Sequence, residues 1–397
     1  MVCALGATQT LAWASSTYLP AILAAPIARD LGISRATVFG AFSVSLLVMA
    51  AVGPMVGRAI DRAGGRHMLM WSNLALAAGL AMLGAANHVV VLFAAWCILG
   101  AGMAMGLYDA AFAALVRIYG TDARKPITGI TLIAGFASTV GWPLSALMDA
   151  HIGWRGACFV WAGLHLAVAL PMNWRLIPVV ADAPPALPSD APAAGRVDAQ
   201  AGTAADAGTR RRSFALLAVY FATTAFVTSA YASHLPGLLG AMGAGAAGAV
   251  LAAALLGPAQ VAARLVEFGV ISRYRVHALT TARVATALHP LACLILGVFG
   301  GPLGFAAAFA LLHGAGNGMI TIAKGTLPLA LFGAAGYGLT QGWLGVGARL
   351  MQATAPYAFG LVLDVFGGRV ALAISAGLSL LAVGSLFLLR AKPDGKR

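Results

Sequence analysis

The chain has 397 residues, 60% of them hydrophobic and 9% charged, with a formal net charge of +13. A mean hydropathy of +0.88 excludes a soluble globular domain, and repeated apolar stretches of about 20 residues mark a polytopic membrane protein. The basic excess does not mark a nucleic-acid binder, because no basic face of a soluble module carries it.

The apolar stretches resolve into twelve predicted membrane spans, numbered here in chain order. Span 1 (3–27) has a polar lining that includes Gln9, Trp13 and Tyr18. Another helix follows it, so a cleavable signal peptide is not expected. Span 2 (36–56) leads into the basic stretch GRAIDRAGGRH at 57–67. Spans 3 (68–86) and 4 (89–116) follow, and span 4 carries Gly100, Gly102 and Gly106 before Asp109. Gly153-Trp154-Arg155 separates span 5 (127–150) from span 6 (156–176). From 178 to 212 the chain is rich in Ala, Pro, Gly and Asp without apolar periodicity, the composition of a flexible cytoplasmic linker. Span 7 (213–235) holds Tyr220, Thr224 and Tyr231, and span 8 (247–271) holds Gln260, Arg264 and Glu267. Span 9 is 284–299, and span 10 (303–331) holds His313, Asn317 and Lys324. Span 11 (337–363) holds Arg349 and Gln352, and span 12 (370–389) ends in a basic tail.

Of the 25 Lys and Arg residues, about 18 fall in alternate loops, the linker and the tail, about 4 in the opposite loops and about 3 inside spans. That bias puts both termini in the cytoplasm of a bacterial-type inner membrane. Cys3, Cys97, Cys158 and Cys293 lie in apolar segments without CxxC spacing and read as small buried hydrophobes. The glycine strings of spans 4 and 10 have no preceding strand and no P-loop lysine, so they serve close helix packing. No catalytic triad, metal-ligand cluster or soluble domain is evident; neither an enzyme nor a cofactor is expected.

Residues 1–177 and 213–397 repeat each other. Tyr18-Leu19-Pro20 matches His234-Leu235-Pro236, and Gly53-Pro54 matches Gly257-Pro258. Pro143 matches Pro356, and Gly153-Trp154-Arg155 matches Gly367-Gly368-Arg369. The shared order and near-constant offset describe a duplicated six-helix unit.

With this plan the chain resembles the major facilitator superfamily over essentially its whole length. The sharpest local match is the loop after span 2, where the family pattern is met by Gly57, Asp61, Arg62, Gly64 and Arg66. Only Gly65 departs, standing where the family has a basic residue. The resemblance implies an all-α bundle of two pseudo-symmetric six-helix halves around a midplane cavity, lined by spans that include 1, 7, 8 and 11. It also implies that the Asp61 loop holds the outward-open state, against the plainer reading of a solvated turn that fixes topology. Two exporter signatures are weak. Trp96 stands where many proton-coupled exporters have arginine, and the Gly-Pro pair of span 5 is interrupted as Gly141-Trp142-Pro143.

Arg349 is the central candidate. A guanidinium near the bilayer midplane costs several kcal/mol unless it faces a cavity or a partner. It reads either as an anchor for an anionic solute or as one half of a fixed structural pair. Asp109 and Lys324 occupy equivalent positions of spans 4 and 10, so an ion pair between the halves, made in one state and broken in the other, is expected. Arg264 and Glu267, spaced i, i+3, are expected to pair on one face and to act in gating. Gln9, Trp13, Tyr18, Tyr220, Thr224, Tyr231, Gln260, His313, Asn317 and Gln352 are candidates for the solute cavity, each also able to serve as helix glue.

The expected function is alternating-access transport of a small organic solute by a monomer in the lipid bilayer, with protons or another ion coupled. Buried bases outnumber buried acids, which points to an anion such as a carboxylate. Efflux of drug-like compounds is the alternative within transport. A non-transporting membrane sensor or assembly partner is a third reading, and the polar lining of spans 1, 7 and 11 argues against it.

Overall fold

The computed structural model describes residues 1–179, 204–271, 274 and 276–389, and these are helical almost throughout. Most of the predicted linker, Arg273 and Arg275, and the basic tail lie outside the described residues. Span 7 begins earlier than expected, inside the predicted linker, because Ala204–Ala241 is one helix.

Nine helical segments among the described residues are long and apolar enough to cross a membrane. Two are far longer than the roughly 20 residues that one crossing needs. Val89–Leu176 contains spans 4 to 6, and Tyr337–Leu388 contains spans 11 and 12. The chain reverses inside them at Gly153 (φ 72°) and Gly367 (φ 80°), the pair that the repeat aligns. A side chain is strained at such angles, so glycine marks both turns.

Several spans are not single helices. Span 1 is split into Val2–Ser15 and Leu19–Asp30. Pro20 explains the split, since its ring clashes with the carbonyl four residues back and it has no N–H to donate. Span 4 is split at Leu107 into Val89–Gly106 and Tyr108–Tyr119. Span 5 is split between Arg124–Ala134 and the helix that starts at Ala137. Span 8 is divided at Leu255 and ends in a π turn over Glu267–Ile271.

Each half has its own core. Leu23, Trp96 and Phe112 belong to the N-terminal one, and Phe309, Phe359 and Leu372 to the C-terminal one. Cys158 and Cys293 are buried as expected, but Cys3 is exposed and Cys97 only partly buried, each on a helix face turned away from the core. The halves meet at the end of the bundle that carries the 57–67 loop, called here the basic end. Spans 2 and 11 approach there with backbone against backbone, and a methyl group on Gly57 would collide with the Gly338 carbonyl.

Candidate functional site

The break in span 4 builds the site. Leu107 is extended (φ −80°, ψ −172°), so a new helix begins at Tyr108. The Gly106 carbonyl, released from the helical ladder, accepts the Gln9 side-chain amide of span 1 at 2.5 Å. Asp109 then falls in the first turn of the new helix, where a carboxylate is favoured by the helix dipole. It lies about 15 Å from the end of that helix, near mid-depth.

Span 11 supplies its partners. Arg349 Nη2 donates to Asp109 Oδ2 at 2.9 Å, and Gln341 Nε2 donates to Asp109 Oδ1 at 3.1 Å. Arg349 Nη1 donates to Gln352 Oε1 at 2.7 Å, while its Nε is buried without a partner. The pair is largely shielded, with side-chain exposures of 15% for Arg349 and 26% for Asp109. A cavity between the halves is lined by Met49, Gly53, Ala104, Asp109, Gly342 and Arg349. Lys324 of span 10 lies in electrostatic range of both charges but forms no salt bridge among the described residues. The ion pair between the halves therefore exists with a different base: Arg349, not Lys324, takes Asp109.

Two contacts close the basic end beneath this cavity. Asp61 accepts the backbone N–H groups of Gly338 and Leu339, both at 2.8 Å, and so caps the start of span 11. Arg117 lies within electrostatic reach of the same carboxylate. Gly64 takes the left-handed φ of 78° that ends span 2, while Arg62 is exposed and Arg66 partly buried. The departure at Gly65 has a packing cause, since a methyl group there would collide with Ala114 of span 4.

The second contact joins spans 5 and 8. Glu267 pairs with Arg124 at 2.8 Å, and Arg124 also donates to the Val276 carbonyl. The expected Arg264–Glu267 pair does not form. Each side chain finds its partner on a neighbouring span instead: Glu267 takes Arg124, while Arg264 donates to the carbonyls of Thr131 (3.3 Å) and Gly318 (3.4 Å). Arg264 is buried and touches no carboxylate among the described residues. Its charge reaches the hydroxyls of Tyr18 and Tyr108. Trp13 stands between those tyrosines, with ring centroids 4.9 Å from Tyr108 and 6.1 Å from Tyr18.

The remaining candidates scatter. Gln260 is partly buried, and its backbone packs closely on Gly318. His313, Asn317, Thr224 and Tyr231 lie inside the C-terminal half around a second cavity, away from the Asp109–Arg349 pair. Tyr220 is buried in that half with its hydroxyl unpartnered. Gln341, Arg124 and His289 had no place among the sequence candidates. Gln341 lies eight residues before Arg349 on the same helix face, and that spacing is a signal that was there to be read. Arg124 reads from sequence only as a loop charge, and His289 as one polar residue in an apolar span.

The Major Facilitator Superfamily sequence profile matches residues 5–336. Over 155 residues the chain is 29% identical to the oxalate:formate antiporter of Oxalobacter formigenes, covering 38% of this chain and 36% of that protein. Over 142 residues it is 26% identical to monocarboxylate transporter 3 of Rattus norvegicus, covering 35% of this chain and 28% of that protein. These matches thus span about a third of each relative. The human organic anion transporter MFSD10 superposes with a TM-score of 0.68 at 18% identity, over 97% of this chain and 98% of that one. FucP, a major facilitator transporter in the outward conformation, superposes with a TM-score of 0.72 at 14% identity, over 97% of each chain. The two-half helical fold, the Asp61 loop and the profile agree: the chain belongs to the major facilitator superfamily of membrane transporters.

Proposed function

We propose that the protein is a secondary active transporter of small carboxylate anions, working by alternating access. One observation carries this reading: at the cavity between the halves two bases, Arg349 and Lys324, share the single carboxylate of Asp109. Such an excess of buried cations is stabilised by an anionic ligand. Arg349 presents a planar fork suited to a carboxylate, with Asp109 on one arm and Gln352 on the other. An incoming carboxylate takes that fork, and Asp109 keeps Gln341 and gains access to Lys324. The names of the two sequence relatives, an oxalate:formate antiporter and a monocarboxylate transporter, support the same class.

With the basic end closed by the Gly57–Gly338 contact, the substrate enters from the opposite end in this reading. We place the basic end, with both termini, in the cytoplasm of a bacterial inner membrane, so this state faces outward. The Asp61 cap and the Arg124–Glu267 pair must part for the substrate to leave on the cytoplasmic side.

The test is counterflow in proteoliposomes with labelled formate, oxalate and lactate, beside a lipophilic cation. Exchange of a carboxylate by the wild type, lost in Arg349→Ala, supports the reading. Transport of the lipophilic cation by both proteins, without carboxylate exchange, overturns it in favour of drug efflux.

A further inference from the structure

Two cations and one carboxylate meet at the cavity between the halves. Arg349 Nη2 is taken by Asp109 and Nη1 by Gln352, and Nε still lacks an acceptor. Lys324 lies in electrostatic range of Arg349 and Asp109 and has no ion-pair partner among the described residues. Apart from Asp109 and Arg349, the cavity is lined by Met, Val, Ala and Gly, with nothing charged to receive a further carboxylate.

A third base of the C-terminal half is already engaged elsewhere. Arg264 donates to the carbonyls of Thr131 and Gly318. Its Nη1 lies against Gly135, in the gap between Arg124–Ala134 and the helix that starts at Ala137, and a methyl group on Gly135 would collide with it. Thr131 is in the last turn of Arg124–Ala134, so this cation sits at the negative end of a helix. No hydrogen bond or ion pair joins it to Asp109, Lys324 or Arg349 among the described residues.

The charge count of the cavity follows. Two cations less one carboxylate leave one positive charge. When a single carboxylate takes Arg349, Asp109 turns to Lys324, and every charge has one opposite partner. A dianion brings a second carboxylate for which no cation remains. A charge left unpaired away from water is costly, and the cost rises as water is excluded. Asp109 adds a repulsive element against that second carboxylate, and repulsion of the wrong ligand is how a site discriminates between close analogues.

We propose that Asp109 sets the valence of the bound anion, so that the cavity takes monocarboxylates and rejects dicarboxylates; this rests on the carboxylate reading above. Asp109 is then a specificity-determining residue as well as the partner of Arg349.

Oxamate and oxalate test this, because they match in shape and differ by an amide in place of one carboxylate. Displacement of labelled formate from the purified protein at neutral pH compares them. In the wild type oxamate should bind about tenfold or more tightly than oxalate. Asp109→Asn leaves two cations unopposed and should reverse that order. Adding Lys324→Gln to Asp109→Asn returns the count to one positive charge and should put oxamate back in front. A merely structural role for Asp109 predicts neither the reversal nor its rescue. Oxalate binding as tightly as oxamate in the wild type overturns the proposal and leaves the carboxylate reading standing. So does an order that Asp109→Asn does not reverse, or an oxalate preference kept by the double variant. Melting curves confirm that the variants are folded, and the wild-type order decides alone if they are not. A wild type that binds neither formate, oxamate nor oxalate overturns the carboxylate reading and this proposal with it.

Discussion

In the N-terminal half, spans 1, 4 and 5 break at mid-depth; in the C-terminal half their counterparts, spans 7, 10 and 11, run through unbroken. The repeat aligns Pro20 with Pro236, yet span 1 breaks just before its proline and span 7 carries Pro236 inside a continuous helix. The charges divide the other way. Lys324 and Arg349, on the intact spans 10 and 11, belong to the C-terminal half, and Asp109 faces them from the N-terminal half. Irregular backbone is tolerated at membrane depth only where protein or a cavity receives it. One half thus brings polarity to the midplane through backbone groups freed at helix breaks, the other through side chains on intact helices. A duplicated unit can diverge this way because each device alone makes a polar wall.

The sharpest way to break this division is to remove the charge that joins the two walls. Arg349→Ala leaves the partly buried Asp109 with Gln341 and, at longer range, Lys324, which should destabilise the protein by about 3 kcal/mol or less and abolish carboxylate binding. Thermal melts with and without formate read both effects. Adding Asp109→Asn to Arg349→Ala should restore most of the stability and none of the binding. If the double variant binds as the wild type does, the anchor lies elsewhere.

A buried histidine offers a smaller test. His165→Gln removes a ring held at both nitrogens and should cost about 1–3 kcal/mol at about 1 kcal/mol per hydrogen bond, plus imperfect filling. It should leave carboxylate counterflow intact, because its partners Ser15 and Asn73 lie outside the Asp109–Arg349 site, and thermal melts read the loss.

How much of this was legible in the sequence depends on the range of the interaction. The two-half plan was legible because repeated local signals, such as the glycines at 153 and 367, each fix a turn without outside help. The break at Leu107 was not, since apolar residues run through it and the cause is tertiary: Gly106 fits against Ser72 and gives its carbonyl to Gln9. Asp109 and Arg349 were both singled out by the cost of burying them, but burial cost names no partner, and they lie 240 positions apart. Arg264 and Glu267 misled because a spacing of three brings two side chains within reach but says nothing of competing partners on other spans, here Thr131 and Gly318 for the one and Arg124 for the other.

Asp61→Asn addresses the basic end. The carboxylate accepts two backbone N–H groups at once, and the amide can accept with only one atom. The expected loss is about 1 kcal/mol of cap stability, felt as a shift toward the inward-open state and a fall in flux. Labelling of a cysteine placed at the Gly338 side of the closed end measures that shift. Wild-type labelling and flux would remove Asp61 from gating.

Glu267→Gln should have the smallest effect, and it distinguishes two ways of closing one end. Spans 2 and 11 close by backbone contact, with Gly57 against Gly338, and no side-chain change short of filling that gap opens them. Spans 5 and 8 close through side chains: Arg264 on the Thr131 carbonyl, and an ion pair whose arginine is 25% exposed and whose glutamate is 1% exposed. A glutamine keeps one hydrogen bond to Arg124 and loses the charge, so about 1 kcal/mol or less is at stake once solvent screening of the arginine is allowed for. A double-mutant cycle with Arg124→Gln, read by melting and by cysteine labelling at both seams, isolates the coupling. A coupling near zero assigns closure to the glycine seam and Arg264. A coupling of about 1 kcal/mol, with labelling raised at spans 5 and 8 but not at spans 2 and 11, shows that the two seams open separately.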